Sequence, residues 1–214
     1  GGDFDDNGLS LTTDASGNIY TVGRFQGTVD FDPGSGISNL ISSGGNDLFI
    51  QKLDASGNFI WAESIGDSGD EIAYSITTDN SNNIYLTGSF ENTVDFDPGN
   101  GNFDLTSNGD SDIFVLKLDS DGNFVWANNM GGTAGDAGIS ITTNLSGEVL
   151  VTGSFQGAAT FDPLTIINSE GLDDIFVQKL DANGNLLWVK SMGGINGEGG
   201  TSIVTDELGN IYTT

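Results

Sequence analysis

Cysteine and histidine, two residue types that carry much of enzyme chemistry, are absent from this 214-residue sequence. Without cysteine there is no disulfide and no thiolate nucleophile, although this absence does not by itself indicate a reducing compartment. Without histidine, a Ser-His-Asp hydrolase and a histidine-bound metal are excluded. Proton transfer near neutral pH would need a carboxylate, tyrosine or lysine with a shifted pKa.

Basic residues are scarce: five lysines and arginines stand against 31 acidic residues, which gives a net charge of −26. Phosphate backbones and anionic lipids require a basic surface that this sequence does not provide. No apolar run approaches the roughly 20 residues of a membrane span, and no charged-then-apolar signal segment opens the sequence. We therefore expect no nucleic-acid partner and no membrane insertion, and an export signal would lie outside these residues.

A strand-turn-strand segment recurs three times, as DLFIQKLDASGNFIWAESI at 47–65, DIFVLKLDSDGNFVWANNM at 112–130 and DIFVQKLDANGNLLWVKSM at 174–192. The only three tryptophans mark these copies: Trp61, Trp126 and Trp188 are 65 and then 62 residues apart. A strand-built period of this size indicates one supersecondary unit copied along the chain.

The other half of the unit is a strand, a D-x-x-G-N turn and a second strand, seen at 11–25, 75–90, 140–155 and 202–214. A glycine-rich loop follows, with the fixed sequence Phe-Asp-Pro at 31–33, 96–98 and 161–163. Because proline cannot donate to a strand ladder, these positions end or border pairing. The third copy of the loop is three residues shorter, which explains the 62-residue spacing.

Each unit thus contains four short strands. The third strand places Phe114, Leu116 and Leu118 on one side and mostly apolar residues on the other, so it is predicted to be buried on both faces. Four-stranded sheets repeated radially are the blades of a β-propeller. We predict an all-β array of about three and a half antiparallel blades in an incomplete ring. The predicted units are 1–65, 66–130, 131–192 and, for the first two strands of a fourth blade, 193–214.

The pattern GNIYTVG, then DIFVxKLDxxGN, then tryptophan followed by Gly-Gly, resembles the SBBP-type β-propeller repeats of secreted bacterial proteins. The resemblance covers essentially the whole chain. It implies a segment of a large exported or cell-surface protein, of the kind carried as type IX secretion cargo, usually without an assigned reaction. The partners that it implies are a protein or glycan at the cell surface. The propeller would be completed by the rest of a longer polypeptide, which we favour, or by a second copy of the chain.

Seventeen of the twenty aromatic residues occupy equivalent positions in several copies. A residue that every blade requires is required by packing, so we expect core positions here and not ligand contacts.

Sixteen of the 31 acidic residues also recur. In the D-x-x-G-N turns the aspartate is predicted to accept backbone N–H groups two or three residues on, with glycine in the left-handed conformation. Asp119-Ser120-Asp121-Gly122 is similar to the start of a calcium loop, but the other copies lack the second carboxylate and no copy has the closing glutamate. Turn capping is therefore favoured.

Two further sets of acidic residues, each at equivalent positions in successive copies of the repeat, are predicted to share one face of the propeller. There they would form rings of carboxylates around its axis. Calcium is the candidate ion, and a solvated acidic rim is the favoured alternative. The candidate metal ligands are Asp32, Asp97, Asp162, Asp6, Glu71, Asp136 and Glu198. Three of the five basic residues form one column, Lys52, Lys117 and Lys179, and are predicted to pair with carboxylates of their own or a neighbouring blade.

No catalytic constellation emerges, so the sequence favours a non-catalytic structural and interaction module that binds through the loop face carrying Asp32, Asp97 and Asp162. The alternative is a carbohydrate-active hydrolase or lyase with two carboxylates roughly 5–10 Å apart. Glu63, Glu91 and Glu148 are non-repeated acids that could serve it.

Overall fold

The computed structural model describes residues 1–214 and contains strands but no helix. The structure thus has no helix of the length and apolar character that a membrane crossing needs. The first blade is an antiparallel sheet in the order β1-β2-β5-β6, and a small hairpin, β3-β4, accompanies it. Its strands are β1 (Asn7–Thr13), β2 (Ile19–Phe25), β3 (Thr28–Asp30), β4 (Asn39–Ile41), β5 (Asp47–Leu53) and β6 (Phe59–Ile65).

The second and third blades repeat this order, and a two-stranded sheet follows them. The strands are β7 (Ile72–Thr78), β8 (Ile84–Phe90), β9 (Thr93–Asp95), β10 (Asp104–Thr106), β11 (Asp112–Leu118), β12 (Phe124–Met130), β13 (Ala137–Thr143), β14 (Val149–Asp162), β15 (Thr165–Leu180), β16 (Leu186–Met192), β17 (Ile203–Thr205) and β18 (Ile211–Thr213). The predicted fold class is confirmed: these are four-stranded antiparallel blades in an array that does not close into a ring.

The segment carrying Phe-Asp-Pro was predicted to be a loop, and it is a hairpin that folds back along its own blade. In the first blade the ring of Phe31 packs against those of Phe25 and Phe49, with centroids 5.3 and 4.7 Å apart. The sequence Thr-Val-Asp, which forms a short strand at 28–30 and at 93–95, is the feature that could have predicted this hairpin. In the third blade the shorter loop lets the two strands stay paired to the tip, so β14 and β15 are continuous and bend at bulges.

This back-folding corrects the predicted arrangement of loops. The Phe-Asp-Pro tips were expected beside the links between blades, because both lie between strands that enter from that side. The hairpin returns the tips to the opposite end, beside the turn that joins the third and fourth strands. We call the end with these tips and the two tight turns of each blade the turn end, and the end with the inter-blade links the link end.

The third strand of the second blade packs against both neighbouring blades, and its predicted burial on both faces is confirmed. All seven residues of β11 are buried. Phe114, Leu116 and Leu118 belong to the core shared with the first blade, whereas Ile113 and Val115 belong to the core shared with the third. Side-chain burial of this kind contributes about 1.5–3 kcal/mol for each large apolar residue, so this strand is central to the array.

At the inner edge, serine hydroxyls join the first strands of successive blades. The hydroxyl oxygen of Ser75 accepts the N–H of Ile141, and that of Ser140 accepts the N–H of Ile203, both at 3.2 Å. Ser10 makes the equivalent, longer bond of 3.4 Å to Ile76. These bonds use backbone donors at the strand edge, which would otherwise lack a partner.

At the turn end, a tryptophan and a lysine of one blade contact the turn between the third and fourth strands of the next blade. Trp126 Nε1 and Lys117 Nζ both donate to the carbonyl oxygen of Ala182, at 3.2 Å each. Lys52 Nζ donates to the carbonyl oxygen of Ser120 at 2.7 Å, in the turn that Trp61 also contacts. Both tryptophans pack on a turn of the next blade, although only Trp126 donates its Nε1–H there, and this supports their predicted packing role between blades.

The lysine prediction is therefore wrong for two of the three residues. Lys52 and Lys117 lie over the rings of Tyr20 and Tyr85, 5.1 and 5.0 Å from the centroids, and bind carbonyl oxygens instead of carboxylates. Only Lys179 forms an ion pair, with Glu148 at 2.6 Å. The third blade has leucine where the others have this tyrosine, so the cation–π partner is replaced there by a carboxylate.

We predict that Gly184→Ala destabilises the protein more than Gly57→Ala. Both glycines are left-handed, with φ of +85° and +82°, so each substitution costs about 1–2 kcal/mol. A Cβ at Gly184 would also lie 3.0 Å from the Trp126 ring, whereas nothing lies within 4 Å of one at Gly57. The extra crowding should add about 1–3 kcal/mol, measured by urea denaturation. Equal losses would contradict the grip of Trp126 on this turn.

Candidate functional site

The turn end brings together the Phe-Asp-Pro tips and the tight turns of each blade. Asp32, Asp97 and Asp162 head the tips, and each accepts the N–H two residues on through Oδ1, at 2.7, 2.8 and 2.7 Å. The second carboxylate oxygens of Asp32 and Asp97 lie against Gly36 and Gly101 of their own tips, and Asp162 Oδ2 accepts the Thr165 hydroxyl at 3.2 Å. These aspartates therefore shape the tips and leave acidic groups at the surface.

The other candidate metal ligands lie at the link end. Glu71 and Asp136 are buried there and Glu198 is half-buried, whereas Asp6 accepts the Gly2 N–H at 2.7 Å in the most N-terminal link. The two predicted carboxylate rings are thus on opposite ends of the array, which corrects the expectation that they share a face. No group of three or more acidic side chains is close enough to hold a metal ion. Calcium binding stays a prediction.

A groove of about 520 Å³ runs between the second and third blades at the turn end. Apolar walls come from Phe103, Met130, Phe161 and Leu186. Its amide Asn128 donates to the carbonyl oxygen of Gly184 at 2.7 Å, so this polar group is already occupied by the neighbouring blade. The groove thus offers both apolar walls and polar side chains, among them Asn129, Asp162 and Asn185, to a ligand.

The equivalent groove between the first and second blades has a different character. It is about 280 Å³ in volume and is lined by Glu63, Asp97, Asp121 and Phe124. Burial raises the pKa of Glu63 above its ordinary value. Glu63 and Asp121 do not recur in the other blades, since asparagine and lysine take the first position and serine and asparagine the second. The two grooves therefore share a backbone frame and differ in chemistry.

Glu91 and Glu148, the other non-repeated glutamates, lie outside this groove. Glu91 adjoins Gly69 at the link end, and Glu148 is paired with Lys179 in the turn between β13 and β14. The structure therefore does not bring the three non-repeated glutamates together.

Large exposed apolar residues at the turn end were missed by the sequence analysis. Ile37 and Leu164 are 79% and 96% exposed on the tips, and Leu145 and Leu208 are 71% and 88% exposed on the turns between first and second strands. Their signal is an apolar residue in a loop or turn, at positions that are mostly polar in the other copies. Exposed apolar groups beside grooves are typical of surfaces that bind other molecules.

The recurring turn aspartates are occupied by their own turns, as predicted. Asp119 Oδ1 accepts the N–H groups of Asp121 and Asn123 at 2.9 Å, and Oδ2 accepts the Asn123 amide, also at 2.9 Å. The second backbone donor is four residues on, one further than expected. In the equivalent turn of the first blade, hydrogen bonds from the side chain and backbone of Asn58 lower the pKa of Asp54.

We predict that Asp119→Ala lowers the free energy of unfolding by roughly 1 kcal/mol, because partly solvated hydrogen bonds of its turn are lost. Asp121→Ala in the same turn is the matched control. The Asp121 side chain is exposed and accepts no hydrogen bond, so its loss should stay within about 0.5 kcal/mol. Chemical denaturation of both variants checks the difference, and equal effects would contradict the capping role.

Residues 60–89, which comprise nearly all of β6 with β7 and most of β8, match a family model described as a beta-propeller repeat, SBBP. Over 227 aligned residues the chain is 28% identical to an uncharacterized WD repeat-containing protein, L264, of Acanthamoeba polyphaga mimivirus. That alignment covers 88% of the chain and 16% of the relative.

Over 164 residues the chain is 27% identical to the regulatory protein FlaEY of Caulobacter vibrioides, with 74% of the chain and 17% of the relative covered. The chain thus spans about one sixth of the length of these curated relatives. Fold and similarities agree that the chain is an array of β-propeller blades.

Proposed function

We propose that the chain is a non-catalytic structural and interaction segment of a larger secreted or cell-surface bacterial protein, and that it binds a protein or glycan through its turn end. The observation that carries the proposal is the pair of inter-blade grooves on that end, together with the exposed apolar side chains on the tips and turns of the same end. Rigid blades present these grooves without needing to order themselves on binding, which reduces the free-energy cost of association.

The wider setting is also part of this proposal. The repeat match and the long relatives support a segment within a larger polypeptide. The net charge of −26 keeps such a segment soluble and favours partners without a strongly acidic surface. Export, with type IX secretion as the route, rests on the resemblance to secreted bacterial repeats. The other blades of the propeller are then supplied by the rest of the polypeptide or by a second copy.

Binding to immobilised glycans and displayed peptides should depend on the turn end. For any ligand that the chain selects, we expect Ile37→Asp with Leu164→Asp to weaken binding by about tenfold or more. The matched control is Leu172→Asp with Ile195→Asp, which changes exposed apolar residues at the link end. Surface plasmon resonance provides the comparison. Loss of binding in the link-end variant alone would place the interaction on the opposite end.

The groove between the first and second blades favours a second candidate function, a carbohydrate-active hydrolase. Such enzymes use one carboxyl group that stays protonated and one carboxylate that stays ionised. Burial raises the pKa of Glu63, which suits the proton donor, and Asp97 and Asp121 line the same groove.

A test of glycoside hydrolysis separates the two functions. If the interaction role is right, the chain releases no reducing sugar from a panel of polysaccharides, and Glu63→Gln behaves like the wild type. The control is Glu91→Gln, since Glu91 lies at the link end, away from the groove. Sugar release that Glu63→Gln abolishes and Glu91→Gln leaves intact would establish the hydrolase instead.

A further inference from the structure

Two buried carboxyl groups lie near each other at each of the two links that join the three complete blades. In the first pair, Glu71 lies in the link and Asp47 begins the third strand of the preceding blade. In the second pair, the corresponding residues are Asp136 and Asp112. The backbone repeats at both places: the N–H of Glu71 donates to the Asn46 carbonyl at 2.7 Å, and that of Asp136 donates to the Ser111 carbonyl at 2.8 Å. These hydrogen bonds hold Glu71 beside Asn46, the residue before Asp47, and Asp136 beside Ser111, the residue before Asp112.

These four side chains are almost completely removed from water. Glu71 and Asp112 are 0% exposed, Asp136 is 1% exposed and Asp47 is 2% exposed. In the second pair, Asp112 Oδ1 and Asp136 Oδ2 face the same point, since a Cβ placed on Gly131 would collide with both. In the first pair, a Cβ on Gly66 would collide with the carboxyl group of Asp47. Glycine in the link therefore lets the chain pass directly over the carboxyl groups.

One buried oxygen in each pair has no hydrogen-bond donor: Glu71 Oε1 in the first and Asp112 Oδ1 in the second. The other oxygen of Glu71 and both oxygens of Asp136 accept hydrogen bonds from backbone N–H groups. Glu71 Oε2 accepts the N–H of Asp67 at 2.9 Å, and Asp136 accepts the N–H groups of Gly132 and Gln156 at 2.7 and 2.8 Å. A buried carboxylate oxygen without a donor is costly, so these two oxygens require an explanation.

No positive charge faces either pair. At the first junction the other facing charge is that of Asp67, and the nearby Glu91 N–H favours the ionised form of Glu71. The positive charge of Arg24 interacts with Asp70 instead, which also accepts the Asn46 N–H. At the second junction the further charged group is Asp173, and the Asn108 amide donates to Asp112 Oδ2 at 3.0 Å. The three lysines of the repeat point to the turn end. Ion pairing therefore does not account for the buried carboxyl groups.

A metal ion fits this arrangement less well than a proton does. Calcium takes six to eight oxygen ligands, whereas each junction supplies two carboxyl groups surrounded mainly by N–H donors. A proton needs only two oxygens. When one group of a pair is protonated, its O–H can donate to the other group, and the charge repulsion between them disappears.

We propose that each of these two junctions is a proton site, in which one carboxyl group of the pair holds a proton and donates it to the other, and that loss of this proton loosens the joint between the blades. In this step the carboxyl pair releases its one proton to water and becomes a pair of carboxylates with two negative charges.

The expected ionisation agrees with this geometry. Burial is the main cause that raises the pKa of Glu71 to about 7, and the charges of the neighbouring carboxylates raise it as well. The hydrogen bond from the Asp67 N–H acts in the opposite direction. Burial likewise raises the pKa of Asp47, Asp112 and Asp136 to about 6. Because these values are higher in the folded chain than the ordinary 3.8 and 4.5, the pairs stabilise the fold at low pH, and this stabilisation is lost as pH rises through about 6 to 7.

The experiment follows thermal unfolding of the full chain between pH 5.5 and 8, with either a chelator or calcium present. We expect the wild-type midpoint to fall by roughly 5 °C or more over this range. Glu71→Gln with Asp112→Asn places a permanent N–H donor in each pair and should remove at least half of that fall. Asp121→Asn, which removes one exposed carboxylate, should follow the wild type.

Three results would overturn the proposal. The first is a wild-type midpoint that is flat or rises over this range, and the second is a double variant whose midpoint falls as much as that of Asp121→Asn. The third is a calcium-induced rise at pH 8 that the double variant abolishes, which would indicate a cation site. If the double variant fails to fold, carbon-13 NMR of the wild-type carboxyl groups decides the question. We expect groups that titrate above pH 5.5, and their absence would refute the shared proton.

Discussion

Burial of both faces of each third strand is the constraint on which the rest of the array depends. A single sheet of this kind cannot cover its own apolar surface, so each blade needs a neighbour on either side. Phe114 and Val115 are adjacent in sequence, yet they belong to the cores of different junctions. The same requirement explains why the aromatic positions recur, since every junction must be filled by side chains of similar shape.

The two ends of the array treat their acidic residues in opposite ways. At the turn end, aspartates accept several N–H groups from their own turns and are stabilised as anions. At the link end, carboxyl groups are buried in pairs, and burial favours the protonated form. The fold therefore has carboxylates whose pKa is lowered and carboxyl groups whose pKa is raised to about 6 to 7, and the two sets respond to pH in opposite directions.

Departures from the repeat are where individual chemistry arises. In the third blade the turn carboxylate moves from the first to the last turn position: Asn144 replaces the aspartate, Glu148 replaces the asparagine, and the two side chains still bond at 2.6 Å. The moved carboxylate then reaches Lys179, whose counterparts lie over tyrosine rings. Glu63 shows the same principle at the surface, because one non-repeated residue gives an inter-blade groove an acidic wall that the equivalent groove lacks.

The sequence by itself determined the blades, their strands, the turn chemistry of Asp119 and its equivalents, and the double-sided burial of the third strand, because these follow from local periodicity and turn preferences. Only the tertiary structure decided where the Phe-Asp-Pro tips lie, since a bulged hairpin reverses the direction of a loop without a strong local signal. It also decided which carboxyl groups meet. Asp112 and Asp136 are 24 residues apart in the chain and become neighbours only when one blade is stacked on the next.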